Sequence, residues 1–173
     1  IPHDYADDHR DILKILIHWA TTIYHDSRAE LLFLAVDLFN RTSSFYTKRT
    51  PLDRMSLAAT CLWVAAKLTD SKMVPLDVYI PSVTAIVKDI TASEILKIEI
   101  EIIYLLNGIL HVSKLYRSCT TAEELRLSLH HVILSRDTNT YAQTDIPAWL
   151  EVMKNYTADN TSKNITIAEL LPQ

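Results

Sequence analysis

The chain has 173 residues and a formal net charge of −4 at pH 7, and 49% of its residues are hydrophobic. That length and apolar content suit one domain with a buried core and an appendage, and they argue against a disordered chain. The chain has an excess of acidic residues and no cluster of Lys and Arg, which argues against nucleic-acid binding. The single glycine, Gly108, argues against phosphate-binding loops, dinucleotide-binding turns and tight β-hairpins, because these rely on the backbone freedom of glycine.

The first two predicted elements are amphipathic helices. Apolar residues spaced three and four apart predict a helix over residues 8–25. Ser27 and Glu30 have the spacing of a capping box. We expect them to open a second helix with Leu34 in its apolar stripe.

The third predicted helix is apolar on nearly every side. Thr50, Pro51 and Asp53 form its start signal, and the helix should run to about Leu68. Because little polar surface is left, we expect this helix to be central and buried. Its expected core residues include Cys61, Trp63 and Ala65.

Two further helices follow. Pro81 interrupts a short helix that is predicted between about 76 and 88. Thr91 has the position of an N-cap for a fifth helix. The dipeptide Asn107-Gly108 should end that helix with a left-handed turn.

Beyond residue 110 the helical pattern becomes weaker. Short helices are predicted at about 112–118, 121–135 and 146–155, before a polar stretch at 157–166 and an apolar patch at 167–171. The sequence therefore predicts a five-helix domain over 1–110, a helical extension over 111–156 and a polar, mobile tail over 157–173.

No catalytic or metal site is indicated. Cys61 and Cys119 show no CxxC or Cys/His spacing, and the adjacent His130 and His131 would face different ways on a helix. Nucleophile-elbow, zinc-protease and P-loop motifs do not occur. We therefore expect a non-enzymatic protein without metal or cofactor in a reduced, intracellular compartment. No apolar run reaches the roughly 18–20 residues that span a bilayer, so no membrane partner is expected.

Four segments, in order along the chain, resemble signatures of the cyclin family. Ile-Leu-Ile-His-Trp at 15–19 resembles the hydrophobic-Asp-Trp signature, and Leu-Ala-Val-Asp-Leu-Phe-Asn-Arg at 34–41 resembles the Leu-Ala-Val-x-x-x-Asp-Arg signature. Ala-Ala-Lys at 65–67 is similar to the family's Ala-Ser-Lys or Ala-Ala-Lys. In the run at 95–106, Glu99 stands where the fifth helix of the family has its glutamate.

The resemblance covers one complete cyclin box. The five predicted helices over 8–110 match such a box in number, order and length, and the similarity fades after residue 110. His18 and Asn40 stand where the family usually has Asp. The resemblance implies an all-α, five-helix cyclin box with additional short C-terminal helices.

The resemblance also implies a kinase-binding surface. In cyclins, a Lys and a Glu at the positions of Lys67 and Glu99 hydrogen-bond to the kinase backbone beside the kinase's C helix. Leu68, Ile95 and Ile102 would supply apolar contact area around them. From the residues alone a simpler interpretation stays open, in which Lys67 complements the helix dipole and Glu99 is a polar break in an apolar run.

A substrate-docking groove is implied as well. In cell-cycle cyclins the matching surface of the first and third helices binds short Arg-x-Leu motifs. The expected groove residues here are Ile12, Ile15, Leu16, Trp19 and Met55. Because Met55 replaces a usual Gln and Thr22 replaces an acidic residue, we expect such motifs to bind weakly. By pattern alone, this stripe is more typical of a core than of a binding site.

The expected function is that of a regulatory subunit that binds and activates a cyclin-dependent protein kinase in the nucleus, the cytoplasm or both. One alternative is a cyclin-fold module that binds a kinase without activating it. A second is a transcription-factor adaptor similar to the TFIIB family, which predicts a basic nucleic-acid-binding face. A third is a small helical enzyme, which predicts polar residues converging in a pocket. The sequence indicates neither of these last two features.

Overall fold

The computed structural model describes residues 5–46, 48–69 and 74–110, together with residue 167. Helices account for most of these residues, no β-strand occurs among them, and none of the helices is long and apolar enough to cross a membrane. The elements are α1 (Tyr5–Ile23), α2 (Ala29–Ser43), a 3₁₀ turn (Ser44–Tyr46), α3 (Pro51–Leu68), α4 (Leu76–Thr84) and α5 (Ala92–Leu105). The predicted all-α fold with five helices before residue 110 is confirmed.

The start of α3 forms as predicted. Thr50 Oγ1 accepts a hydrogen bond from the Asp53 backbone N–H at 3.2 Å, and Asp53 Oδ2 accepts one from the Thr50 N–H at 3.4 Å. Pro51 occupies the first turn, where a backbone N–H would have no partner within the helix. This reciprocal cap starts α3 sharply after the 3₁₀ turn.

The predicted start of α2 is wrong in detail. The N-cap residue is Arg28 rather than Ser27, and its side chain makes no capping hydrogen bond. The Ser27 backbone N–H instead donates to the Tyr24 carbonyl oxygen at 2.8 Å, within the α1–α2 corner that residues 24–28 form. Burial of 12 of its 15 residues, rather than a side-chain cap, therefore stabilises α2.

The boundaries of α5 agree with the prediction. Thr91 Oγ1 accepts a hydrogen bond from the Glu94 N–H at 3.3 Å and so caps the N-terminus. At the other end, Asn107 and Gly108 have positive φ values of 51° and 74°. The Gly108 N–H donates to the Ile103 carbonyl oxygen at 2.9 Å, and the predicted left-handed stop is confirmed.

The short helix α4 ends at Thr84, about one turn earlier than predicted, and contains Pro81. Its buried Tyr79 fixes it to α3, because the Tyr79 hydroxyl donates to the Ala59 carbonyl oxygen at 2.5 Å. The ring centroids of Tyr79 and Trp63 lie 5.1 Å apart, a tilted arrangement that aromatic pairs favour. The hydroxyl and the ring of Tyr79 thus hold α4 against α3, although a nine-residue helix is too short to be stable alone.

The core is organised around α3. Every residue from 57 to 66 is buried, and α3 contacts α1, α2 and α5. Cys61, Trp63 and Ala65 all lie in the core, so the prediction of a central, buried third helix is confirmed.

The expected C-terminal elements at 112–118, 121–135 and 146–155 lie outside the described residues. So does the expected mobile tail at 157–173, with one exception. Ile167 is fully buried in the hydrophobic core, and it contradicts the tail prediction at that position.

We expect Leu62→Ala and Leu34→Ala each to lower the free energy of unfolding by about 2–5 kcal/mol, because both side chains are buried and their loss leaves a cavity. Leu96→Ala is the matched control, since Leu96 is exposed on α5, and it should change that free energy by about 0.5 kcal/mol or less. Urea unfolding followed by far-UV circular dichroism measures all three. Equal effects at the three positions, or a native spectrum rich in β-structure, would contradict the fold.

Candidate functional site

The candidate site is centred on an ion pair between α3 and α5. The Lys67 ammonium donates to Glu99 Oε1, although the two residues are 32 positions apart in the sequence. Lys67 lies in the last turn of α3, and Glu99 lies in the middle of α5. Their side chains are 36% and 17% exposed, so the pair is partly shielded from water yet open to a partner.

Trp63 fixes the ammonium from a second side. Lys67 Nζ lies 5.5 Å from the centroid of the Trp63 ring, within the range of a cation–π interaction. Trp63 is itself buried. The position of the Lys67 charge is therefore set by a ring and a carboxylate before any partner binds.

α5 is apolar on two opposite faces. Ile95, Ile98 and Ile102 recur at intervals of three and four residues and are buried against the rest of the domain. On the other side of the helix, the exposed apolar face consists of Leu96, Ile100, Ile103 and Tyr104. Glu99 lies on one flank of this exposed face and Glu101 on the other, as their positions on the helix require.

Two of the predicted kinase-binding residues are misplaced. Ile95 and Ile102 are fully buried, so their side chains fill the core and leave no surface for a partner. Leu68, by contrast, is 48% exposed next to Lys67. The apolar surface that sequence reasoning missed is the exposed face of α5. The sequence did contain a sign of this face, because α5 carries a second apolar stripe, offset by one residue from the buried stripe of Ile95, Ile98 and Ile102.

A cavity of about 390 Å³ lies on the Glu101 side of the exposed α5 face. The Tyr46 hydroxyl donates to Glu101 there, and the Arg49 guanidinium lies 4.6 Å from the centroid of the Tyr46 ring. Burial and the hydrogen bond that the Tyr46 hydroxyl donates to Glu101 together raise the pKa of Tyr46 above its ordinary value, so this hydroxyl stays a donor. Phe45 and Tyr104 form part of the apolar wall.

The segment at 34–41 that resembles a family signature is structural here. Asn40, which stands where the family usually has Asp, is buried, and its Oδ1 lies 3.0 Å from Nε2 of the buried His9. Arg41 pairs with Asp37 at 2.9 Å and donates to the Ile109 carbonyl oxygen at 2.8 Å. These bonds tie α2 to α1 and to the chain that follows α5.

The predicted substrate-docking groove is not open. Ile12, Leu16 and Trp19 are buried because α1 packs this stripe against α2 and α3, and only Ile15 and Met55 are half-buried. An exposed groove built from these five residues is therefore contradicted.

A different groove, of about 430 Å³, lies between α1 and α4. His18, Thr22 and Ile23 line it from α1, and Val78, Ser82 and Ile86 are among the residues that complete it. The Thr22 hydroxyl donates to the His18 carbonyl oxygen at 3.0 Å. No carboxylate lines this groove within the described part of the chain.

The buried thiol of Cys61 is not suited to catalysis. Burial raises its pKa to about 12, so it is not a thiolate at neutral pH, and Thr42 Oγ1 lies 3.8 Å from the sulfur. Within residues 5–46, 48–69 and 74–110, no three His, Cys, Asp or Glu side chains are grouped to hold a metal ion.

Comparison with known proteins identifies a family. The family model described as the N-terminal domain of cyclins matches residues 2–111, which is more than half of the chain. No curated protein and no solved structure matches. The matched range contains all five helices as well as Lys67 and Glu99, and the resemblance stated from the sequence is confirmed.

We expect Lys67→Ala and Glu99→Ala to change the free energy of unfolding by less than about 1 kcal/mol, because a partly exposed ion pair adds little to helices that are already packed. Urea unfolding of both single variants and of the double variant measures this. A loss as large as that expected for Leu62→Ala would show that the pair is a structural element of the domain instead.

Proposed function

This chain belongs to the cyclin family, and on that basis we propose that it is a regulatory subunit that binds and activates a cyclin-dependent protein kinase. It supplies a binding surface and no catalytic group. The observation that carries the proposal is the Lys67–Glu99 pair, which lies beside the exposed apolar face of α5.

The polar part of this surface suits recognition of a peptide backbone. An ammonium has three N–H donors and a carboxylate has two acceptor oxygens, while the bond between Lys67 and Glu99 uses one donor and one oxygen. The pair can therefore donate to a backbone carbonyl and accept from a backbone N–H of the kinase. Because both side chains are held in place beforehand, little conformational entropy is lost on binding.

The apolar part of the surface excludes water from these polar bonds. Leu68, Leu96 and Ile103 lie next to the pair in sequence or one helical turn away, and all three are exposed. Covering them with a partner removes apolar area from water and lowers the dielectric around the charges. A desolvated charge pair with its hydrogen bonds satisfied is costly to disrupt, which makes it a determinant of specificity.

Activation follows from a shift in population. In the family, the kinase C helix rotates inward in the active state, where the catalytic Lys and Glu of the kinase pair. A rigid surface that fits the inward helix better than the outward one stabilises the active state. The surface here is rigid because α3, which carries Lys67, is enclosed in the core.

The test is to mix the purified chain with each member of a panel of cyclin-dependent kinases and to measure both binding and phosphotransfer. Binding to at least one kinase with a gain in phosphotransfer supports the proposal. Binding without a gain supports the alternative of a non-activating partner. Absence of binding across the panel would contradict both.

We expect Lys67→Ala and Glu99→Ala each to weaken binding of the cognate kinase by about 2 kcal/mol or more, roughly 30-fold in Kd, because each leaves a buried partner group unsatisfied. Titration calorimetry with folded variants measures the change. Lys97→Ala is the matched control, since Lys97 is an exposed lysine of α5 on the flank away from Glu99, and it should leave Kd nearly unchanged. Wild-type affinity in both test variants would show that the kinase binds elsewhere.

We expect peptides with an Arg-x-Leu motif to bind this chain weakly, because the predicted groove is closed and Thr22 offers no negative charge for the arginine. Fluorescence anisotropy of a labelled peptide measures the affinity. Thr22→Glu, a substitution at an exposed position, should strengthen binding through an added countercharge. Tight binding by the unmodified chain would overturn this prediction.

A further inference from the structure

Ile167 comes from outside the region that matches the cyclin family, yet it lies in the core of the domain. The family match ends at residue 111. The Ile167 side chain is fully buried and belongs to the hydrophobic core, and its backbone N–H donates to the Ser27 carbonyl oxygen at 2.7 Å. A residue near the C-terminal end of the sequence thus contacts the α1–α2 corner.

The α1–α2 corner has the chemistry to accept an apolar segment. Arg28 takes the N-cap position of α2 with extended backbone, and its side chain makes no capping bond. Tyr24 and Ala29, on either side, are buried. The corner therefore combines a backbone acceptor, the Ser27 carbonyl, with apolar neighbours, and Ile167 brings both the donor and the apolar side chain.

We propose that the α1–α2 corner is a docking site for a short apolar peptide segment, and that Ile167 of this chain occupies it in cis. Burial of the isoleucine side chain favours docking, and the N–H···O bond fixes the position of Ile167. Because Ile167 belongs to the same chain as the corner, docking is intramolecular and does not depend on the concentration of the protein. The folding unit then extends beyond the family match at residue 111.

This proposal does not rest on kinase binding, and its test uses the full chain without a kinase. Amide hydrogen exchange at Ile167, followed by NMR, should be at least about 100-fold slower than at an unprotected amide. The protection should not change on dilution. Exchange at the unprotected rate would overturn the proposal. Protection that is lost on dilution would show that a second copy fills the site, and it would overturn docking in cis.

A matched pair of substitutions tests the apolar half of the contact. Ile167→Ala should raise the equilibrium constant of unfolding by about 30-fold or more, as expected for truncation of a buried isoleucine. Ile100→Ala is the control, because Ile100 is 70% exposed, and it should change that constant by less than about threefold. If Ile167→Ala does not fold, Ile167→Val should give a rise of about 2- to 12-fold. An effect at position 167 no larger than that at position 100 would overturn the proposal.

Discussion

The enclosure of α3 is the constraint on which the rest of the structure depends. A helix with ten consecutive buried residues, 57–66, has no polar face to turn to water, so other helices must surround it. Here α1, α2 and α5 do so. Small residues such as Ala58 and Ala65 lie among the buried set, and they allow neighbouring helices to approach closely. The arrangement of the domain follows from the need to cover this one helix.

The end of that enclosure creates the candidate site. Ala66 is buried, and the next two residues, Lys67 and Leu68, are exposed. A lysine in the last turn is favourable for the helix dipole, so the structural interpretation of Lys67 and its proposed role in binding are compatible. Because α5 packs along α3, a carboxylate at Glu99 meets the ammonium where α3 leaves the core.

Features set by local chemistry could be predicted from the sequence, whereas those set by the choice of packing partner could not. The cap at Thr50 and the stop at Asn107-Gly108 depend on neighbouring residues, and both are present in the structure. For α5, periodicity identifies two apolar stripes but does not say which of them faces α3. The buried pair Ile95 and Ile102 was therefore assigned to the wrong face.

The predicted groove on α1 and the predicted mobile tail fail for the same reason, since both depend on the choice of packing partner. An apolar stripe that contains Trp19 has the same spacing whether it lines a groove or fills a core, and only contact with α2 and α3 decides between them. Ile167 begins a short apolar patch that follows a polar stretch, and its burial depends on a contact with Ser27 that is distant in the sequence. The local sequence pattern therefore could not decide whether these residues are exposed or buried.

The exposed apolar face of α5 is not explained by the stability of the described domain. Ile100 is 70% exposed and Tyr104 is 81% exposed, so neither side chain contributes much to the core, and both favour association with other surfaces. The carboxylates of Glu99 and Glu101 flank this face, and each is held by a partner side chain. An apolar centre with an ordered polar border is the usual composition of a protein-binding surface. One side of α5 thus holds the helix in the domain, and this leaves the other side free to bind a partner.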